Sequence, residues 1–323
     1  MAQSAAIHGY EIEAIIAAVR EHAGFTNKRP ISTVRTYFDT SDPVHGPGDD
    51  GAIVDVDGRH VVACGEALSP PFVGADPYGA GIAAVLANVN DVAAMGGVPL
   101  GIVNTVVGPK ATTEEVMRGM RDAAVMYNVP IIGGHLTERP GETSVSAFAV
   151  GHAVEVLSMA NVRPGQVVLF ACFLDGVMRR DFPFFTSIAQ QTERFAADVR
   201  VLAAVAASGV AVAAKDVSMA GALGSLAMLL EFRAFGANVD LERMPIPADT
   251  DFVRWLISFP SYAFWLTAEP ETAQACIEQF GAADLLCVAV GEVSNGSSLT
   301  LSVGGERCEL IDLAIESVTG LWA

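Results

Sequence analysis

Between Pro77 and Pro109 the chain carries one charged residue, Asp91. The first half of that stretch has helical periodicity, with Ile82, Val85, Leu86, Val89 and Ala93 on one face. Asp91 falls on the opposite face, among Ala84, Ala87 and Ala94. A solvent face carries lysine, glutamate or glutamine, so a helix of this kind is covered on both sides. Any fold for this chain must therefore bury the helix completely and give its one carboxylate a hydrogen-bonding partner, a counter-charge or a metal. A cap on a neighbouring loop and a ligand role both satisfy that demand.

The second half repeats the pattern. Between Arg200 and Glu231 the only charged residues are Lys215 and Asp216. They stand where the apolar run 209-GVAVAA-214 meets the Ser/Gly-rich entry of 219-MAGALGSLAMLLE-231. A strand-to-helix turn of this type presents backbone N–H groups to a phosphate. A plain Lys-Asp pair, with Ser218 or Asp216 as the helix cap, is the alternative. A third acidic feature, 46-GPGDDGAIV-54, sets Asp49 and Asp50 after a Gly-Pro-Gly turn. Such a pair serves equally as a turn cap or as an oxygen site for a cation.

Composition limits the function classes. Apolar residues make up 51% of the 323 residues and charged ones 17%, enough for large cores and a subunit interface. The net charge, 19 − 37 = −18, argues against nucleic acid or an anionic membrane as the main partner. The five cysteines form no C-x-x-C pair, which fits a reducing cytoplasm and excludes a thiol zinc site of that spacing. Residues 1–15 lack the basic and apolar regions of a secretion signal.

Periodicity predicts a helix over 9–23, strands over 51–56 and 60–68, and a helix of about 20 residues from 77 to Gly96-Gly97. A strand over 98–108, a helix over 113–128, a buried strand over 129–134 and a strand over 143–156 follow. The pattern restarts at 161-NVRPGQVVLFACF-173, which places a domain boundary there: 1–160 and 161–323. The second half reads as a helical region over 183–208, the segment 210–231, a helix over 270–281 and a strand over 285–293. Mixed strands and helices mean an α/β or α+β architecture. Glu66 and His135, the latter after Gly133-Gly134, end strands in apolar surroundings, while Lys28 and Arg29 lie in a polar early loop. A solvated charge pair is the plain reading of the last two, and a satisfied loop residue that of His135. No P-loop, dinucleotide fingerprint, zinc-protease or nucleophile-elbow motif occurs, so a nucleotide here needs carboxylates and Mg²⁺ rather than a Walker lysine.

The series 48-GDDGAIV-54, 66-EALSPPFVGADPYGAG-81, 88-NVNDVAAMGGVP-99, 131-IIGGHLTERPG-141, 215-KDVSMAGALGSLAMLLE-231 and 291-GEV-293 resembles the aminoimidazole-ribonucleotide (AIR) synthetase-like superfamily over essentially the whole chain. That superfamily includes thiamine-monophosphate kinase, selenophosphate synthetase and the hydrogenase-maturation carbamoyl dehydratase. Within it the chain looks most like an AIR-synthase-related subfamily. The resemblance implies two α/β domains, a homodimer joined through the N-terminal sheet, and Mg-ATP in a cleft between domains. It implies Asp49, Asp50, Glu66, Asp91 and Asp216 as metal ligands. It implies nucleotide contacts from Asn90, Gly133, Gly134, Thr137, Lys215 and Ser218, and roles for Lys28, His135 and Asp216 in the chemistry. That chemistry is phosphoryl transfer from ATP to a small polar metabolite, or its activation.

Three positions depart from the superfamily pattern. Gly65-Glu66 replaces Thr-Asp, His135 replaces an acidic residue of the kinase and cyclo-ligase, and Met219 replaces the second aspartate of kinase-like members. A nucleotide-binding regulatory or scaffold protein without turnover, a thiamine-monophosphate kinase-like enzyme, and a structural dimer whose acidic loops only cap helices are the competing expectations.

Overall fold

A computed structural model describes residues 10–322. The reading of residues 1–9 lies outside the described residues. Five described helices reach ten residues or more: α1 (Ile12–Glu21), α2 (Pro77–Ala94), α3 (Lys110–Tyr127), α4 (Gly221–Glu231) and α5 (Ala273–Ala282). The strands are β1 (Ala52–Val56), β2 (Arg59–Ala67), β3 (Gly97–Gly108), β4 (Ile131–Glu138), β5 (Ser144–Ala153), β6 (Val167–Cys172), β7 (Val177–Met178) and β8 (Phe184–Thr186). They continue with β9 (Ala213–Asp216), β10 (Gly236–Asp240), β11 (Phe259–Pro260), β12 (Ala263–Ala268), β13 (Leu286–Ser294), β14 (Ser298–Val303) and β15 (Glu306–Asp312). The architecture is mixed α/β, as the alternating periodicity implies.

The chain forms two compact units. One holds residues 50–156 and 192–207; the other holds 1–49, 157–191 and 208–323. The expected cut at 160/161 lies four residues from the switch at 156/157. A single cut does not describe the units, because the described residues 10–49 pack with the second half and 192–207 with the first. The buried apolar stripe of α1 (Ile12, Ile15, Val19) joins the core that also holds Leu223, Leu226, Trp255 and Leu310. Local periodicity shows that such a stripe must be buried but not against what.

In the 50–156 unit, five strands run in the order β1-β2-β5-β3-β4, with α2 and α3 on one face. Twelve residues of α2 are buried, Asp91 among them. Helix α2 meets α3 through glycines. A Cβ on Gly81 would lie 2.1 Å from the Val116 carbonyl oxygen, and one on Gly119 would lie 2.1 Å from that of Tyr78. The close approach explains a helix whose polar side is alanine: its second face lies against another backbone. The other face of the sheet carries Val54, Phe148 and Val150, aligned through the register Ala63↔Val150, Gly65↔Phe148 and Val54↔Val61. The Phe148 ring occupies the space that a Gly65 side chain would fill.

One correction falls in this unit. The strand after α3 is β4, pairs only with β3, and is exposed along nearly its whole length rather than buried. Its run Val-Pro-Ile-Ile is apolar, but an edge strand has a partner on one side only.

In the other unit, seven strands run β15-β14-β10-β13-β6-β12-β9, beside a small sheet β11-β8-β7. Every residue of α4 is buried. Trp255, Trp265, Phe170 and Phe185 pack edge-on or tilted in the core, and the Trp265 Nε1–H donates to the Ala222 carbonyl at 2.6 Å. The expected helical region 183–208 is broken. It contains β8, then the short helices Ile188–Gln191, Phe195–Asp198 and Val201–Ser208. The aromatic run after Pro183 pairs with β11 as a strand instead. No described helix is long and apolar enough to cross a membrane.

Candidate metal and phosphate site

In the 50–156 unit, α2 and the sheet converge on an acidic group. A carboxylate oxygen of Asp50 lies within 4.8 Å of one from Asp91. Asp91 is 7% exposed. Strand alternation puts Cys64 and Glu66 on the helix-covered face of β2, opposite the Gly65–Phe148 pair. The Cys64 thiol donates to the Asn88 carbonyl at 3.4 Å and Oδ1 at 3.5 Å. Asn88, fully buried one turn before Asp91, donates from Nδ2 to the carbonyls of Ala84 and Ala147 at 2.8 and 3.2 Å.

Burial raises the Cys64 pKa well above its ordinary value, and the charges of Asp91, Asp50 and Glu66 raise it further against a hydrogen bond with the Ala149 backbone. The thiol thus registers the field of all three carboxylates. Two ionised carboxylates this close repel, and a divalent cation between them relieves that repulsion. The donors are hard carboxylate oxygens, one on a turn and one on a buried helix, a set that fits Mg²⁺.

His135 and Thr137 lie elsewhere. The His135 ring nitrogen Nε2 is 3.1 Å from the Thr137 hydroxyl. The register Val103↔Gly133 and Thr105↔His135, with Val103↔Phe148, places Gly133, His135 and Thr137 on the sheet face that α2 and α3 leave uncovered. Glu66 and His135 therefore project from opposite faces of one sheet.

In the other unit, Asp49 Oδ2 accepts from Ser158 Oγ at 2.7 Å and from the Met159 N–H at 2.9 Å. At least one oxygen of the Asp49-Asp50 pair thus anchors a turn. Lys215 and Asp216 are both buried, at 4% and 2% exposure, with the ammonium donating to Asp216 Oδ1 and, at 3.3 Å, to its carbonyl. The Ser218 N–H donates to Ser225 Oγ at 3.0 Å, and the buried Ser218 hydroxyl has no hydrogen-bond partner among the described residues. Lys28 is half-buried ahead of a 3₁₀ turn, and Arg29 next to it pairs with Glu316 at 2.5 Å. Ser158, Asn88 and Cys64 were invisible as site residues in the sequence, since each also bonds a residue 24 to 109 positions away: Asp49, Ala147 and Asn88 in turn.

Two family models match this chain: the N-terminal domain of AIR synthase related proteins over residues 48–153 and the C-terminal domain over 186–304. An uncharacterized protein of Synechocystis sp. is 32% identical over 279 residues, covering 84% of this chain and 86% of its own length. The chain belongs to the AIR synthase related family. Among solved structures it is similar to T. maritima PurL complexed with ATP, with a TM-score of 0.75 and 20% identity over 95% of this chain. It spans about half of that protein, 52%. It is also similar to AaThiL complexed with AMPPCP and TMP, with a TM-score of 0.65 and 17% identity, covering 86% of this chain and 94% of that one. At these identities the likeness establishes the fold.

Proposed function

We propose that this protein is a Mg-ATP-dependent enzyme that phosphorylates or activates a small polar metabolite, working as a homodimer. The observation that carries the reading is the approach of Asp50 and Asp91 within 4.8 Å, one on a turn and one on a buried helix. Mg²⁺ bound there would neutralise phosphate charge during transfer. Glu66, longer by one methylene than the aspartate usual in the family, is assigned to the metal on motif position and lies on the helix-covered face of β2. Asp49 contributes through the turn that it ties to Ser158.

Asp216 and Lys215 are assigned to the metal and the phosphates on motif position, with Ser218 as a hydroxyl donor. Asn90, Gly133, Gly134 and Thr137 are assigned to the nucleotide in the same way. Lys28 and His135 would offset developing charge or carry a proton.

The homodimer is supported by the uncovered sheet face. Val54, Val56 and Phe148 are 53%, 48% and 46% exposed there, an apolar surface of the kind that a second copy covers. On that reading the face that carries His135 and Thr137 lies at the subunit interface.

The test is thermal denaturation with and without Mg²⁺ and ATP. Wild type should gain stability by about 2.7 kcal/mol at a hundred times the dissociation constant. Asp91→Asn should lose that gain while keeping its unliganded melting temperature. An unchanged gain in the variant rejects the metal assignment.

A second reading is a nucleotide-binding protein without turnover. It is favoured by Met219, which is 48% exposed where kinase-like relatives carry an aspartate. Release of ADP in the presence of candidate acceptors, thiamine monophosphate among them, rejects it.

A further inference from the structure

The turn that enters Asp49-Asp50 has little regular structure of its own. Residues 38–48 include no helix, and their backbone N–H groups bond locally: Gly46 N–H to the Asp42 carbonyl at 2.9 Å, and Val44 and His45 N–H to Asp42 Oδ1 at 3.0 and 3.3 Å. A loop of this kind needs an external wall to hold one conformation.

That wall is the indole of Trp322. Its Nε1–H donates to the Thr40 carbonyl at 2.7 Å. At the other end of the loop, Gly48 lies against the ring so closely that a Cβ there would be 2.4 Å from it, with φ +148°. Glycine is required at that position on both counts.

The ring is itself fixed from behind. It packs edge-on against Phe232 at 5.3 Å. The segment before it is held by the buried Glu231 carboxylate, which accepts from Val318 N–H at 2.8 Å, Thr319 N–H at 3.2 Å and the Thr319 hydroxyl. Glu316 adds ion pairs to Arg20 at 2.7 Å and Arg29 at 2.5 Å. Trp255 and Trp265 are fully buried core residues; Trp322 is part-buried and touches both ends of the 40–48 loop.

We propose that Trp322 is a positioning residue for the Asp49-Asp50 turn: its indole fixes the path of Thr40–Gly48 so that the carboxylates reach a divalent cation in one geometry. The inference rests on the metal reading above. A carboxylate ligand displaced by a fraction of an ångström binds its ion poorly, so the wall acts on affinity without touching the ion.

The experiment is calorimetric titration of the full chain with Mn²⁺ as an oxygen-seeking probe, with a melting temperature for each variant. Wild type should bind, and Asp91→Asn should not. Trp322→Ala should bind on the order of tenfold to a hundredfold more weakly. Trp322→Phe, which keeps a ring against Gly48 and loses the bond to Thr40, should recover most of the affinity. Trp322→Ala with wild-type Mn²⁺ affinity, whatever its melting temperature, overturns this inference and leaves the metal reading standing. Wild type that takes up no Mn²⁺ overturns both. If Trp322→Ala does not fold, Gly48→Ala disturbs the same contact from the loop side; the same loss of affinity supports the inference and an unchanged affinity overturns it.

Discussion

Asp49 and Ser158 are joined by a 2.7 Å hydrogen bond across 109 positions of sequence. The same Asp49 oxygen takes the Met159 N–H, and Ser158 Oγ in turn accepts from the Ala160 N–H at 3.2 Å. One carboxylate oxygen thereby ties the acidic turn to the 3₁₀ turn at 159–161. Ser158→Ala should cost about 1–3 kcal/mol, because a half-buried carboxylate loses one charge-assisted bond. Urea denaturation measures this; a cost near zero means that the bond is not formed in solution.

Lys215 and Asp216 form a buried ion pair, and removing one member leaves the other charge in a medium that solvates it poorly. Lys215→Met should destabilise by about 3–5 kcal/mol. Lys215→Met with Asp216→Leu should regain much of that. Equal loss in single and double variants, again by urea denaturation, would show that the pair is not coupled.

Glu231 is held above the ordinary carboxylate range, with burial as the main cause and the hydrogen bonds from Thr319 and Val318 opposing it. The folded state thus binds this proton more tightly than the unfolded state, whose value is near 4.5. The contribution is fully present below that value and is lost as pH rises through the folded value. Wild type should lose stability relative to Glu231→Gln as pH rises above 4.5 and through the raised folded value. Parallel stability curves for the two proteins would refute the assignment.

Phe148 is the largest exposed side chain of the uncovered sheet face named above. Phe148→Asp should convert a dimer to a monomer in light scattering, since a charge is not buried in an apolar interface without a partner. Retained dimer mass would place the interface elsewhere. Its far-ultraviolet dichroism should match wild type, because the ring is 46% exposed and lies over a residue without a side chain, Gly65.

The packing of α2 on α3 makes a further check. Gly119→Ala forces a methyl against the Tyr78 carbonyl oxygen and should cost about 1–3 kcal/mol or more. A melting temperature equal to that of wild type would mean that the two helices can separate at no cost.

Much of this protein was legible in order and spacing. The charge-free stretch around Asp91 required a helix covered on both sides, and α2 and α3 cross where Gly81 of α2 and Gly119 of α3 let the backbones meet. Alternating periodicities gave the α/β class, and the order of motifs from Gly48 to Val293 gave the family. Periodicity is a local property, and each motif is a short run read within a turn or a strand.

The tertiary structure decided what local pattern cannot carry. Chain reversal sent residues 10–49 to the second half and left β4 at a sheet edge, exposing a run that is apolar enough to be buried. Strand alternation put His135 and Glu66 on opposite faces, although both follow apolar runs in the sequence. Asp49 and Asp50 are neighbours with the same chemistry, yet one bonds Ser158 and the other approaches Asp91. Composition and spacing show that a carboxylate must be satisfied. Which group satisfies it depends on contacts between distant residues, and only the folded chain brings those together.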